Sequence, residues 1–589
     1  MTSAPAKLHG RAFYESIGSP KYVVAPMVDQ SEFAWRLLTR SFLPPELRSS
    51  ILAYTPMFHA KLFSDNPKYR SNHFEPLKPP ITMAHPPDAE HLKTLSEDDK
   101  YLDGNPKTDR PLFVQFCAND PDVFLKSGQM VAPYCDAVDL NLGCPQGIAK
   151  RGNYGAFLQE DWDTIYNLIN NLHKNLDVPV TAKFRIQETR EKTLEYAKMI
   201  LSAGASIITV HGRQRHQKGH ETGLADWAMI RYLREQLPKD TVMFANGNIL
   251  QYGDVDKCLE ATGADAVMSA EGNLYDPSIF AQGPPAGEEG REYWRGRDGK
   301  GGYRADAVLR RYLDIIHKYV LNQEPPQREE LFLPSDAQPD EPAVSSTTLK
   351  RSAEDSAPGQ APTKKQKREA AKEKKKKNGA KPEKCTNANL TAMQPHCFHI
   401  LRSLVSSHHD VRDALARCRA GDIDAYENVL KLTQMAVKEG LLAYEKDPAQ
   451  FETPSVTDDE GADPELSSTA AVRRCKRPFW VCQPYVRPLP KEALEKGSLQ
   501  LSKKDKARLA AEQAEKEKAG VSGDGHVGVV MTTKVKNATN GSETENGPAA
   551  NEHISTNGGA ASVDIGNSTH TADGTEERTE IPKEGMVSG

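Results

Sequence analysis

Eight short runs of β-branched, aromatic and small apolar residues alternate with helical patterns between residues 22 and 269 of this 589-residue chain. Most of the runs are apolar on both faces, as parallel strands covered on both sides are. The alternation predicts an α/β fold, a (β/α)8 TIM barrel. A doubly wound sheet, the alternative, usually carries a glycine-rich phosphate loop after its first strand, and no GxGxxG motif follows here. The predicted strands are Tyr22–Ala25, Ile51–Tyr54, Leu112–Gln115, Ala137–Asn141, Val180–Phe184, Ile207–His211, Val242–Ala245 and Ala266–Ser269.

Composition divides the rest of the chain into segments that can bury a core and segments that cannot. Apolar residues recur at helical spacing after the barrel, which predicts a small all-α domain. The stretch Lys350–Lys384 holds thirteen Lys/Arg against five Asp/Glu and almost no apolar residues, so we expect disorder there. The predicted units are an N-terminal segment over 1–17, the barrel over 18–285, a helical domain over 300–324 and 388–446, a disordered basic linker over 325–387, a basic and aromatic extension over 447–500 and a disordered tail over 501–589.

Cysteine usage and hydropathy favour an intracellular protein. The nine cysteines are spread thinly and form no CxxC pair, which is unlike a disulfide scaffold. No secretory signal is recognisable, and no apolar run approaches the ~18 residues of a membrane span. We therefore expect a location in the cytoplasm, the nucleus or both, without membrane association. Lys350-Arg351 and Lys364–Arg368 have the spacing of a bipartite nuclear-import signal, and a solvated linker with general affinity for RNA is the alternative.

A basic and aromatic stretch, Arg473–Trp480 with Tyr485–Arg487, follows the helical domain. Cations interleaved with rings suit RNA phosphates and exposed bases. The alternative is a segment whose rings pack on the helical domain. The cysteines and histidines between residues 385 and 399 lack a second ligand pair at zinc-finger spacing, so we predict no metal site.

The fourth predicted strand ends in a glycine-rich loop that carries a cysteine, Cys144, between Gly143 and Pro145. Loops at strand ends carry chemistry more often than packing does. Taken alone, the cysteine is better interpreted as a small apolar side chain beside a turn proline, since reactive thiols are the minority. Its place at the end of a barrel strand, with Lys150 and Arg151 behind it, favours a functional role.

Polar and cationic residues follow the other predicted strands as well. The active site of such a barrel lies at the carboxyl ends of its strands, and a purely structural barrel gives no reason for Lys183, His211 and Asn246 all to lie there. Glycine-bearing turns after strands seven and eight suit a phosphate. Lys183 offers a positive charge to an anionic ring edge, and Pro26 with Met27 offers an apolar floor. These features predict a flavin mononucleotide (FMN) site, because a sugar-phosphate barrel would not need that floor.

Five segments resemble the tRNA-dihydrouridine synthase family, and the resemblance covers residues 21–280. Those segments are Ala25–Glu32, Asn141–Pro145, Gly155–Leu158, Val210–Arg213 and Asn246–Asn248. The sequences of Val24–Ser31 and Met268–Gly272 are similar to those of the eukaryotic branch that modifies D-loop positions 16 and 17.

The resemblance implies a flavin-dependent reduction of the uracil C5–C6 double bond in tRNA, with NADPH or NADH as reductant and a monomeric enzyme. Hydride would go to C6, and Cys144 would donate the proton to C5. The helical domain and the basic segments would hold tRNA. The implied flavin-binding residues are Pro26, Met27, Val28, Gln115, Lys183, His211, Asn246, Gly247, Asn248, Ala270 and Glu271. The implied substrate-binding residues are Asn141, Lys150, Arg151, Arg185 and Arg213.

The sequence departs from the family at one position of the phosphate site. Much of the family has Gly-Arg where this chain has Ala270-Glu271, so an arginine contact to the flavin phosphate is missing. Backbone amides of Ala270–Gly272 remain, and Arg213 is a candidate substitute. Two other functions stay open: a flavin barrel acting on free pyrimidines, and a non-catalytic RNA-binding protein on a decayed barrel. The basic segments argue against the first, and the retained Cys144 argues against the second.

Overall fold

The computed structural model describes residues 7–336, 385–452 and 467–495. The import-like segment near Lys350, most of the predicted linker and the predicted tail lie outside these residues. The described start of the predicted linker, 325–336, instead packs on helices. Arg328 in this stretch pairs with Asp314 and with Glu427, so its charge is matched within the fold.

Eight parallel strands close into a barrel, which confirms the predicted fold and rules out an open doubly wound sheet. Each strand pairs with the next, and the last pairs with the first through Tyr22 and Val267. All strand residues except Tyr22 are buried, because helices cover the outside and side chains fill the inside. The strands are β1 Tyr22–Val24, β2 Ile51–Tyr54, β3 Leu112–Cys117, β4 Ala137–Leu142, β5 Val180–Arg185, β6 Ile207–His211, β7 Val242–Asn246 and β8 Ala266–Ser269.

Three of the long helices around the barrel begin at a residue whose side chain caps them. Asp161, Thr189 and Asp226 each accept a hydrogen bond from the backbone N–H three residues later, which satisfies a donor that has no partner within the helix. These helices are α1 Gly10–Ser16, α2 Phe33–Arg40, α3 Ala60–Asp65, α4 Pro67–His73, α5 Ala89–Thr94, α6 Pro121–Val131, α7 Gly147–Arg151, α8 Trp162–Asn175, α9 Arg190–Ser202, α10 Trp227–Gln236, α11 Gly253–Thr262 and α12 Glu271–Tyr275.

A hairpin and a group of helices follow the barrel and dock on α2. The Trp35 ring of α2 stacks on His396 at 3.9 Å between ring centres, and His396 also lies 3.0 Å from the Glu32 carboxylate. None of the described helices is long and apolar enough to cross a membrane. The hairpin strands are β9 Tyr293–Arg295 and β10 Gly301–Tyr303. The helices are α13 Ala305–Ile315, with a π-helical turn Ile316–Val320, α14 Ala388–Thr391, α15 Met393–Ile400, α16 Arg402–Val405, α17 His409–Arg417, α18 Ile423–Lys446, α19 Ser468–Cys475 and α20 Pro490–Glu495.

The tryptophan of the C-terminal extension packs inside the protein, whereas Phe479 and Tyr485 are partly exposed. Trp480 is fully buried, with ring centres 5.6 Å from Trp294 and 5.0 Å from Phe451. Its carbonyl accepts the Ala305 N–H at 2.8 Å, which ties the extension to the start of α13. The structure therefore favours the packing alternative for the Trp480 ring over base stacking.

The long connection between β2 and β3 ends in a buried charge network. Arg36 donates to Asp109 at 2.9 and 2.5 Å and to Asp103 at 2.8 Å, and Arg40 donates to Asp109 at 2.7 Å. All four side chains are almost completely buried. These paired opposite charges hold the end of the connection inside the protein.

Candidate active site

A chain of buried amide and carboxylate groups joins the carboxyl ends of β3 and β4. Gln115 donates to Asp139 at 2.8 Å, and the Asn141 amide donates to the other end of Gln115 at 2.8 Å. The Asn141 side-chain oxygen then accepts the backbone N–H groups of Gly143 and Cys144 at 3.0 and 2.9 Å. The cysteine loop is therefore fixed by the strand that precedes it.

Asp139 is a member of this network that the sequence analysis missed. It lies within β4 and is fully buried, and Thr181 donates to its second oxygen at 2.6 Å. Burial raises the pKa of Asp139 to about 6, against the opposing effect of the bonds from Thr181 and Gln115. The available signal was a carboxylate inside a predicted buried strand, because such a group is rarely buried without a specific partner.

Cys144 lies in a small apolar cluster at the start of its loop. Cys144 is 3% exposed and packs with Cys117, Tyr154 and the partly buried Met57. Gly155 approaches it so closely that an added Cβ would lie 2.9 Å from the Cys144 carbonyl oxygen, and its φ of +64° also favours glycine. The chain at Gly155 thus packs against Cys144, and the Asn141 side-chain oxygen accepts the Cys144 backbone N–H.

Arg185, at the end of β5, connects the cysteine loop to the neighbouring strand-end loop. Its Nε donates to the Gly143 carbonyl at 2.7 Å, and its Nη1 donates to the carbonyls of Gln214 and Gln217 at 3.2 and 3.3 Å. Burial and the nearby charge of Arg213 lower the pKa of Arg185 to about 10. The side chain therefore positions the cysteine loop and adds positive charge beside it.

Lys183 lies in the same buried region, two residues before Arg185. Burial, followed by the charge of Arg185, lowers the pKa of Lys183 to about 7, and Asp139 only partly opposes this shift. An anionic ligand placed against this amine would favour its protonated form.

Replacing Lys183 with methionine is expected to remove a pH dependence from the stability of the flavin-free protein. The unfolded lysine stays protonated up to about pH 10.4, whereas the folded one loses its proton near pH 7. The wild type should therefore gain stability from pH 7 to pH 9, at up to about 1.4 kcal/mol per pH unit relative to the variant. Urea unfolding at both pH values measures this difference. The exposed Lys239→Met change serves as control, and equal slopes for wild type and Lys183→Met would contradict the prediction.

His211 and Arg213 lie side by side at the end of β6, and Arg213 carries the positive charge. The Arg213 guanidinium lies 3.0 Å from His211 Nε2, and since a guanidinium can only donate, this nitrogen accepts. Burial and the charges of Arg185, Lys183 and Arg213 lower the pKa of His211 far below its usual value. His211 is therefore neutral at physiological pH, and Arg213 also donates to Asn248 at 2.9 Å.

The turn after β7 requires glycine at its centre. Gly247 has a φ of +121°, and an added Cβ would lie 2.5 Å from the Ala225 Cβ. Asn248 follows with a φ of 64° and bonds the Ala225 backbone on both its amide atoms, at 2.9 and 3.0 Å. The Asn246 side-chain oxygen is buried and has no hydrogen-bond partner among the described residues. This turn therefore presents an unsatisfied acceptor and a close-fitting backbone.

A cavity of about 840 Å³ opens over the ends of β5 to β8. Its volume falls in the range of cofactor pockets. The sequence-predicted residues that line it are Arg185, His211, Arg213, Asn246, Gly247, Asn248, Ala270 and Glu271. Residues of the C-terminal extension complete the wall, and these are Ser467, Ser468, Ala471, Arg474, Tyr485, Val486, Arg487, Pro488 and Leu489. Sequence reasoning did not place this extension at the site.

The remaining predicted site residues lie outside this cavity wall. Gln115, Asn141 and Lys183 belong to the buried region beside the cysteine loop. Three further residues, Pro26, Met27 and Val28, follow β1; the first two are buried and Val28 is 40% exposed. Lys150 and Arg151 are exposed on α7. The structure thus places eight of the predicted residues at the cavity wall and Gln115, Asn141 and Lys183 beside the cysteine loop, and Arg185 contacts both places. The predicted residues after β1 and on α7 belong to neither group.

Comparison with known proteins identifies a family. Residues 23–294 match the family described as Dihydrouridine synthase (Dus). The tRNA-dihydrouridine(16/17) synthase [NAD(P)(+)] of Saccharomyces cerevisiae is 40% identical over 521 residues, which cover 87% of this chain and 96% of that protein. The protein of the same name from Schizosaccharomyces pombe is 38% identical, over 82% of this chain and 92% of its own length. A Mus musculus tRNA-dihydrouridine(16/17) synthase [NAD(P)(+)]-like protein is 45% identical over 48% of this chain and 52% of its own. The chain therefore belongs to the dihydrouridine synthase family of oxidoreductases.

Proposed function

We propose that this chain reduces the C5–C6 double bond of uridines 16 and 17 in the D-loop of tRNA, with FMN as cofactor and NADPH or NADH as reductant. The observation that carries the proposal is the Cys144 loop, held by Asn141 and Arg185 beside a cationic cavity at the carboxyl end of the barrel. The names of the two yeast relatives support the tRNA positions and the nicotinamide reductant.

The residues around the cavity fit FMN. Asn246 offers a buried, unpartnered acceptor, and the turn at Gly247 lets backbone approach closely. Arg213 and the backbone at Ala270 would hold the phosphate end, since helix starts and arginines both suit phosphate. Lys183 and Gln115 would contact the ring edge, over the apolar side chains after β1. Bound FMN would supply the hydride that reaches C6.

Cys144 would donate the proton to C5 of the uracil ring. Its loop is fixed before substrate arrives, which removes much of the cost of orienting a proton donor. The thiol is almost fully buried, so it is shielded from water until a base approaches. Lys150 and Arg151 on α7 would hold tRNA phosphates near the loop. The target uridine must leave its stack to reach the thiol.

We further infer a monomeric enzyme of the cytoplasm or nucleus. The two other functions weighed from the sequence, reduction or oxidation of free pyrimidines and RNA binding without catalysis, are less well supported. A protein without catalysis gives no reason to fix a cysteine loop so closely.

Purified full-length protein tests the proposed function directly. We expect a yellow preparation that converts uridines 16 and 17 of unmodified tRNA to dihydrouridine with NADPH, and that leaves free uracil unchanged. Mapping of dihydrouridine by reverse-transcription stops after alkaline treatment measures the positions. Turnover of free uracil at a comparable rate would favour the small-substrate enzyme, and a colourless, inactive protein that still binds tRNA would favour the RNA-binding alternative.

A further inference from the structure

The C-terminal extension builds the part of the cavity wall that faces the turns after β7 and β8. Residues 485–489 and the first turns of α19 line the cavity together with Asn246–Leu250 and Ala270–Gly272. Residues 485–489 lie more than 200 residues after Ala270–Gly272 in the sequence, yet the two segments share one wall. The phosphate end of the proposed flavin site is therefore not formed by the barrel alone.

Arg487 of this extension forms a two-point ion pair with Glu271. Its Nε donates to one carboxylate oxygen at 2.9 Å and its Nη2 to the other at 2.6 Å. The Tyr485 ring lies beside this pair. Its centre is 3.9 Å from the Arg402 guanidinium and 5.7 Å from the Arg487 guanidinium. A two-point pair fixes the plane of a guanidinium better than a single bond does. The side chains of Arg487 and Glu271 are partly exposed, and both line the cavity.

The charges of Arg213, Glu271 and Arg487 act on one another. Burial lowers the pKa of Arg213 to about 10, Glu271 opposes this shift, and the charge of Arg487 adds to it. The three groups therefore carry one net positive charge at the cavity wall. A carboxylate on its own would repel a phosphate, so Glu271 is compatible with an anion only while it is paired.

We propose that Arg487 supplies the arginine contact to the flavin phosphate, and that Glu271 acts as a positioning residue that holds Arg487 in place. The assignment rests on the proposed function, because it assumes that FMN occupies the cavity. It accounts for the missing arginine at position 271, since the guanidinium comes from the extension rather than from the start of α12. A tRNA phosphate is the other candidate ligand, but Arg487 lines the same cavity as Asn246 and Gly247, which favours the flavin phosphate.

Flavin titrations of the full-length apo-protein test the assignment. The Arg487→Ala variant should lose about 10- to 100-fold in affinity for FMN, the size of effect expected for a charged hydrogen-bonded contact. Its affinity for riboflavin, which lacks the phosphate, should change by less than about twofold. Quenching of flavin fluorescence measures both affinities. Lys476→Ala is the matched control, because it removes one exposed positive charge from the same segment without lining the cavity.

A second variant separates a phosphate contact from a structural role. Adding Glu271→Arg to Arg487→Ala places a guanidinium at the position where much of the family has one, and it should restore most of the FMN affinity. Equal losses for FMN and riboflavin, without rescue in the double variant, would overturn the assignment in favour of a structural role. Unchanged FMN affinity with weakened tRNA binding would overturn it in favour of an RNA contact. Wild-type protein that binds neither flavin would contradict the proposed function itself, whereas tight FMN binding by both wild type and Arg487→Ala would overturn this assignment alone.

Discussion

The Cys144→Ala variant is expected to form dihydrouridine about 10²- to 10⁴-fold more slowly than wild type, the contribution typical of a general acid. The flavin should still bind and should still be reduced by NADPH at the wild-type rate, because the change leaves the cavity wall intact. Stopped-flow measurement of each half-reaction separates the two steps. Only the step that consumes tRNA should slow.

Cys117 provides the matched control for this experiment. It is a buried cysteine in the same apolar cluster as Cys144, and it lies at the end of β3. Cys117→Ala also removes one cysteine sulfur from this cluster. If only packing is affected, the rate of the tRNA-dependent step should stay within about twofold of the wild-type rate. Full activity of Cys144→Ala, or equal losses in the two variants, would contradict the assignment of Cys144 as the proton donor.

Replacing Asp109 with alanine is expected to lower the free energy of unfolding by about 3–5 kcal/mol, the cost of leaving buried charges without their partner. Asp109 accepts from both Arg36 and Arg40, and the change would leave Asp103 as the one remaining carboxylate of the network. Chemical denaturation at neutral pH measures the loss. The variant should also release the end of the β2–β3 connection from α2.

The pH dependence of this stabilisation follows from the pKa of Asp109. Burial alone would raise that pKa, but the charges and hydrogen bonds of Arg36 and Arg40 outweigh burial and hold it below the usual value. The stabilisation is therefore complete at neutral pH and is lost only as the pH falls below the usual aspartate range. The exposed Asp98→Ala variant is the control and should change stability by less than about 0.5 kcal/mol. A similar value for Asp109→Ala would show that the network contributes nothing.

Features that depend on neighbouring residues in sequence could be predicted, because the physical signal is local. The strands predicted as 180–184 and 207–211 are short runs rich in β-branched and small residues between helical patterns, and the observed strands Val180–Arg185 and Ile207–His211 agree with them to within one residue. The position of Cys144 followed from the same pattern, since a strand end fixes where its loop begins. The polar strand-end residues could be selected for the same reason.

Features that depend on distant contacts could not be predicted. Glu271 and Arg487 are 216 residues apart, and nothing in either segment indicates that the two side chains meet. Trp480 beside basic residues reads equally well as an RNA-stacking ring or as a core residue, and only its packing against Trp294 distinguishes them. Asp139 was missed for a different reason, because the sequence of a strand does not show which distant partners bond to a carboxylate within it.

The buried position of Trp480 changes how truncated alleles of this gene are to be interpreted. An allele with a stop codon between positions 453 and 479 would still encode every barrel strand, Cys144 and α18. Its sequence would therefore contain the whole catalytic domain. The shortened product would nevertheless leave the Trp294 and Phe451 rings without the side chain that fills the space between them. We therefore expect such late nonsense alleles to behave as complete loss of function, through degradation of the protein rather than through a damaged catalytic loop.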